Sequence, residues 1–180
     1  IDIVLISHNH YDHLDLDTLK RLNDRDAPTV IAGLKTKAFL EDNGIKSAVD
    51  MDWWQSITAN KTKITFVPSQ HWSARGIFDK REMLWGGFYI ENAYKIYFAG
   101  DTGYGKFFKT IKEKLGAPDL SLIPIGAYEP RWFMKDAHLN PMDSLQAFKD
   151  LESKKMIGIH FGTFKLTDEG YNDPVNTLNK

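Results

Sequence analysis

His8-Asn9-His10-Tyr11-Asp12-His13 sets three imidazoles and a carboxylate within six residues, directly after the apolar run Ile1-Asp2-Ile3-Val4-Leu5-Ile6. Imidazole nitrogen and carboxylate oxygen suit zinc and other first-row metals, and four such groups on one tight loop can face two adjacent ions. A polar surface loop does not require that density, although a lone histidine would be ordinary there. The loop therefore reads as metal-binding.

Three further candidates share one setting. His71 follows Phe66-Val67-Pro68, His160 follows Met156-Ile157-Gly158-Ile159, and Asp101 ends Ile96-Tyr97-Phe98-Ala99-Gly100. Each closes an apolar strand pattern, and Gly100 and Gly103 permit the sharp turn that aims a carboxylate inward. Taken singly, His71 or His160 is an ordinary hydrogen-bonded histidine and Asp101 an ordinary helix cap. Taken together, four strand ends deliver seven candidate ligands: His8, His10, Asp12, His13, His71, Asp101 and His160.

Around these points the chain alternates. A strand over residues 1–6 leads through the His8 to Asp15 loop to a helix with Leu16, Leu19 and Leu22 on one face. Thr29 to Ala32 is a second strand, followed by a helix around Phe39 and Leu40 that Asn43-Gly44 stops. Ser47 to Glu91 reads as antiparallel strands, with Trp53-Trp54 in the sheet core. Tyr94 to Ala99 is a strand, and the stripe Phe107, Phe108, Ile111 and Leu115 is a helix ended by Gly116. Leu120 to Ile125 is a strand, Asn140-Pro141 starts a helix carrying Leu145, Phe148 and Leu151, and Met156 to Ile159 is the last strand. Sheets covered by helices follow from this order.

Composition narrows the class. A chain of 180 residues supports one sizeable core, so one domain over residues 1–180 is expected. Lys plus Arg number 23 against 24 Asp plus Glu, and no basic run neutralises phosphates, so a nucleic-acid partner is not expected. No apolar run reaches the ~20 residues of a membrane span. Cysteine is absent, which removes thiolate ligands and thiol nucleophiles together. Residue 1 opens directly into a strand pattern, so the expectation is a chain that begins in mid-domain.

The order His8-x-His10-x-Asp12-His13, His71, Asp101, His160 resembles the metal-binding pattern of the metallo-β-lactamase superfamily. Gln70-His71-Trp72, Phe98 to Tyr104, Pro124-Ile125-Gly126-Ala127-Tyr128-Glu129-Pro130-Arg131-Trp132-Phe133-Met134 and His160 to Phe164 resemble the branch of N-acyl-phosphatidylethanolamine-hydrolysing phospholipase D and its bacterial relatives. The resemblance implies an α/β fold, a four-layer αββα sandwich that in this chain lacks its N-terminal strands. It implies two divalent metal ions, zinc foremost with iron or manganese as alternatives. His8, His10 and His71 would hold one, Asp12, His13 and His160 the other, and Asp101 would bridge. A hydroxide between them would attack a phosphodiester.

The resemblance also places His138, in Lys135-Asp136-Ala137-His138-Leu139-Asn140, in the functional set as an acid or electrostatic partner, with Asp101 as the other catalytic group. Arg131 is a candidate phosphate partner, or else pairs with Glu129 or Asp136, and Trp72 and Trp132 are candidate substrate contacts. Trp132 and Phe133 also suit a membrane interface. The expected substrate is a small or lipid-like phosphodiester, with peripheral membrane contact and a homodimer as further expectations and a cytoplasmic or membrane-peripheral location. A lactonase or amidase on the same fold is the nearest rival, and a non-catalytic metal-binding module a remoter one. Oxygen- or nitric-oxide-reducing members carry glutamate where this chain has His10, which argues against a redox reading.

Overall fold

The computed structural model describes residues 1–179. The first strand β1 (Ile3–Ile6) leads through the His/Asp loop to α1 (Leu16–Asp26), which Asp15 caps by accepting from the Thr18 N–H at 2.8 Å. There follow β2 (Thr29–Gly33), α2 (Thr36–Asp42) and β3 (Ala48–Met51). These three strands form one sheet in the order β1-β2-β3, all parallel. This corrects the reading of the whole Ser47 to Glu91 stretch as antiparallel: α2 supplies the crossover that parallel pairing needs, so β3 joins β2.

The remaining strands are β4 (Ser56–Ala59), β5 (Thr62–Val67), β6 (Gly87–Glu91) and β7 (Lys95–Phe98), then β8 (Leu120–Pro124) after α3 (Phe107–Leu115). The one-turn α4 (Arg131–Met134) and α5 (Pro141–Asp150) precede β9 (Met156–Ile159), and α6 (Asp173–Leu178) closes the described chain. The order in the second sheet is β4-β5-β6-β7-β8-β9, antiparallel through β7 and parallel from β7 to β9. Asn140 caps α5 in a reciprocal capping box with Asp143, and Pro141 occupies the first turn, as its sequence promised. Neither α4 nor α6 was legible, since one has a single turn and the other six residues.

Period-two alternation sorts the strand residues into three interfaces. Val30 and Ala32 face Leu14, Leu19 and Leu40 beneath α1 and α2, while Ile31 between them faces the other sheet. There it meets Ile64, Phe66 and Phe88, with Phe66 and Phe88 ring centroids 5.1 Å apart and Trp53 at the margin. Tyr89 and Tyr97 point the other way, onto Phe108, Ile111, Ala147 and Leu151 of α3 and α5. Three interfaces separate four layers, helix, sheet, sheet and helix, as the sandwich expectation requires.

This topology converges the chemistry. β5, β7, β8 and β9 point the same way, because β6 alone among them is reversed, so their C-terminal ends share one edge. The Gly86 N–H donates to the Ser7 carbonyl at 2.9 Å and brings the β1 exit of the other sheet to that edge. Phe66→Ala, which empties the inter-sheet interface, is expected to cost about 3–5 kcal/mol of unfolding free energy in a denaturant titration.

Candidate metal centre

Seven side chains named from sequence arrive at this edge, and His138 joins them. His8 and His71 are almost fully buried, as is Asp101, which is 3% exposed. The ligand atoms of His8, His10 and His71 lie within 4.8 Å of one another, as do those of Asp12, His13, Asp101 and His160. In the first group His8 Nε2 is 3.0 Å and His71 Nε2 3.3 Å from His10 Nδ1. In the second, His13 Nε2 and His160 Nε2 are 3.1 Å apart and lie 3.3 and 3.4 Å from Asp12 Oδ2.

Asp101 sits between the groups. Its Oδ2 is 3.2 Å from His13 Nε2 and 3.9 Å from both His8 and His71 Nε2, while Oδ1 is 3.3 Å from His160 Nε2. A third triad, His71, Asp101 and His138, shares two of its members with these groups.

Local geometry is built to aim these atoms. Gly100 has φ +62, and a Cβ there would meet Ser7 Cβ at 2.7 Å, so only glycine lets the β7 exit press against β1. At Gly126 a Cβ would stand 2.3 Å from the His160 carbonyl oxygen, so the β8 and β9 exits also touch backbone to backbone. His160 itself lies in the left-handed region at φ +59, a strained setting for a residue with a Cβ.

The donor set fits a metal. His71 Nδ1 must donate to the Ala137 carbonyl at 3.0 Å, which leaves the Nε2 lone pair of the neutral ring aimed into the cluster. Burial draws His71 down to about 3 and His8 well below the ordinary imidazole range, so both rings stay neutral, as ligation requires. In the second group, burial lowers His13, but its hydrogen bonds to Asp101 and Asp12 prevail and raise it to about 10. Burial works to raise Asp101, yet its hydrogen bond with His13 and the charges of His160, His13 and His8 hold it far below the carboxylate range. Such a cluster concentrates negative charge and nitrogen lone pairs that a cation compensates. Buried Asp101 Oδ1 and His138 Nδ1, both at the cluster, have no hydrogen-bond partner within the protein, which also fits a polar ligand there.

A family model described as "Beta-lactamase superfamily domain" matches residues 1–161. The chain belongs to the metallo-β-lactamase superfamily. Its relatives include the N-acyl-phosphatidylethanolamine-hydrolyzing phospholipase D 1 of Caenorhabditis elegans, 39% identical over 99% of this chain and 54% of that protein. The mitochondrial protein of the same description from Saccharomyces cerevisiae is 37% identical over 98% of this chain and 40% of its own length. The chain thus spans about half the length of these curated relatives. Among solved structures, the metallo hydrolase Igni18 of Ignicoccus hospitalis superposes with a TM-score of 0.77 at 24% identity, over 99% of this chain and 71% of that one, a likeness of fold. Superfamily membership puts this chain among metal-dependent hydrolases.

One sequence expectation needs correction. Arg131 pairs with neither Glu129 nor Asp136 through its guanidinium: it binds the Asp143 carboxylate and donates to the His138 carbonyl at 2.7 Å. Two of its donors thus hold His138 to α5. Trp132 is 80% exposed and packs on Phe133, whose ring is 5.7 Å away, because the single turn of α4 carries both outward. Trp72 does reach the cluster, its ring edge-on to His10 at 4.4 Å under the Lys80 ammonium.

Sequence reading missed Arg75. Its Nη1 donates to the Asn9 and Leu14 carbonyls at 2.9 and 2.8 Å, its guanidinium lies 4.0 Å over the Tyr11 ring, and its own carbonyl accepts from Tyr11 Oη at 3.0 Å. It ties the loop after His71 to the loop bearing His8 to His13. Its place four residues after His71 was the available clue. Arg75→Ala is expected to weaken metal retention against a chelator on the order of 10- to 100-fold, and Arg75→Lys to recover only part of it, because an ammonium can donate to both carbonyls but lacks the planar guanidinium that lies on the Tyr11 ring.

Proposed function

We propose that the protein is a phosphodiesterase of phospholipase D type, acting on a small or lipid-like phosphodiester with two divalent metal ions, zinc foremost. The observation that carries this reading is the Asp101 carboxylate, shared between the His8-His10-His71 group and the Asp12-His13-His160 group. One anion within reach of both groups suits paired cations, and the yeast and nematode relatives are named for a phospholipase D activity.

In this reading His8, His10 and His71 hold one ion and Asp12, His13 and His160 the other, with Asp101 between them. Bound metal ions supply Lewis acidity and lower the pKa of a coordinated water. The chain's own residues then orient and protonate. Hydrolysis adds water across the P–O bond: the water oxygen bonds to phosphorus, the ester P–O bond breaks, and the departing alkoxide takes a proton.

In this reading that last task falls to His138. Its Nδ1 is buried without a partner, 3.9 Å from Asp101 Oδ2. Its backbone is fixed by the Arg131 guanidinium on its carbonyl and by its own N–H donating to the Met134 carbonyl at 2.8 Å. An imidazole so held donates to a non-bridging or leaving oxygen.

No helix among the described residues is long and apolar enough to cross a membrane. Contact with a lipid surface would fall to exposed side chains such as Trp132 and Phe133, 80% and 67% exposed.

The full-length protein is expected to carry close to two transition-metal ions per chain by elemental analysis and to turn over a phosphodiester in preference to a lactone or a β-lactam assayed beside it. Preference for the lactone would replace the phosphodiesterase reading with a carbonyl-ester one, and absence of metal before and after adding zinc, iron or manganese would reject both. His138→Ala is expected to keep its metal and lose on the order of 10²- to 10⁴-fold in kcat; metal loss in that variant would make His138 a ligand.

A further inference from the structure

A cavity of about 540 Å³ opens beside the cluster, with Asp12 and His160 at one end and Phe161, Phe164, Leu166 and Tyr171 along its sides. Phe164, Leu166 and Tyr171 are each more than half exposed, so apolar surface stands uncovered next to the proposed reaction centre. The volume lies within the range that encloses a small organic molecule. A phosphodiester with its phosphate at the cluster would have its apolar substituent here.

The wall is a strap, residues 161–174, nearly all of it beyond the stretch that matches the family model. It contains no strand, so no sheet ladder holds it. A carboxylate does. Glu169 Oε1 accepts from the Ala127 N–H at 2.6 Å, the Tyr128 N–H at 3.3 Å and the Thr167 hydroxyl at 2.8 Å, while Oε2 accepts from the Glu129 N–H at 3.0 Å. Three successive backbone N–H groups converge on it because Ala127 adopts φ +59, which turns the β8 exit into an anion-binding concavity. The Asp168 N–H adds a bond to the Glu129 carbonyl at 3.3 Å. Burial works against the charged form, but the Thr167 and backbone donors prevail and hold the Glu169 carboxyl below its ordinary range.

We infer that Glu169 is a positioning residue for substrate selection: by latching the strap to the β8 exit it shapes the cavity for a long alkyl or acyl substituent of the phosphodiester. This rests on the phosphodiesterase reading. Glu169 touches no reacting atom in this scheme, so it acts on substrate binding and leaves the chemical step alone. Loss of the latch frees the apolar wall and removes binding that ground state and transition state share.

The test uses the full-length, metal-loaded protein and two diesters with one leaving group, methyl and octyl 4-nitrophenyl phosphate. The native protein is expected to favour the octyl diester. Glu169→Ala is expected to raise KM for the octyl diester about 10-fold or more, with kcat and the methyl diester changed less than about two-fold, the signature of lost uniform binding. Glu169→Gln, which keeps one carbonyl oxygen for Ala127 and Tyr128 but puts an amide N–H against the Glu129 donor, should fall between. Equal losses on both diesters in both variants, or losses in kcat with metal release, would make Glu169 merely structural and overturn the inference. Native indifference to chain length would overturn the cavity assignment while leaving the phosphodiesterase reading standing. Should neither diester turn over, that reading fails by itself, and binding of octylphosphonate against methylphosphonate decides the latch: octylphosphonate binding unchanged by Glu169→Ala rejects it.

Discussion

A buried carboxylate governs this molecule. Asp101 is delivered by the turn after β7 into a region closed to solvent, where an unpaired negative charge would be costly to desolvate. Five imidazoles stand within 4 Å of its oxygens, from His8, His13, His71, His138 and His160. None is contributed by the same strand end as Asp101. The charge is tolerable only while the separate exits of β1, β5, β7 and β9 remain in register with one another, so the geometry of the two sheets and the chemistry of the cluster depend on one another.

The supports around the cluster share a plan. Arg75 ties the loop after His71 to the loop of His8 to His13, and Arg131 ties His138 to α5 through Asp143. Each sets one guanidinium nitrogen on backbone carbonyl oxygen and anchors the same planar group elsewhere, on the Tyr11 ring for Arg75 and on the Asp143 carboxylate for Arg131, which fixes direction as well as distance. The glycines at 100 and 126 act oppositely, by omission: each removes a Cβ so that two strand exits can touch. Together these place ligand atoms that belong to segments more than a hundred residues apart, as with His13 and His160 at 3.1 Å.

Outside this rigid edge lies a less regular wall. The strap after His160 carries apolar side chains over open space and is tied to the β8 exit by the Glu169 carboxylate and the Asp168 N–H. On the proposed reading, a fixed cluster beside a separately attached wall divides the work: the cluster sets the chemistry, while the wall selects which molecules bring their reacting group to it. Members of one fold can thereby differ in substrate without altering their ligands.

Much of this was legible in the chain itself. His8-x-His10-x-Asp12-His13 declares its chemistry because the ligands are neighbours in sequence, and His71, Asp101 and His160 follow because each closes an apolar strand pattern. The Asn140-Pro141 cap was readable for the same reason, being a local bond between a side chain and the next turn. Residues whose role depends on a distant partner were not. Ser47 to Glu91 read as antiparallel because strand propensity carries no partner, and β3 went to β2 through a crossover. Arg131 had Glu129 and Asp136 as neighbours in sequence, yet its guanidinium went to Asp143 and the His138 carbonyl, and Trp132 adjoined a motif yet points outward. Glu169 looks like any surface carboxylate until three N–H groups from the β8 exit converge on it. The sequence by itself determined the candidate ligand types and the strand ends that carry them, because those are properties of neighbouring residues. Only the tertiary structure decided which ends meet, which charges are satisfied and what walls the cavity, because those depend on contacts between segments that nothing local relates.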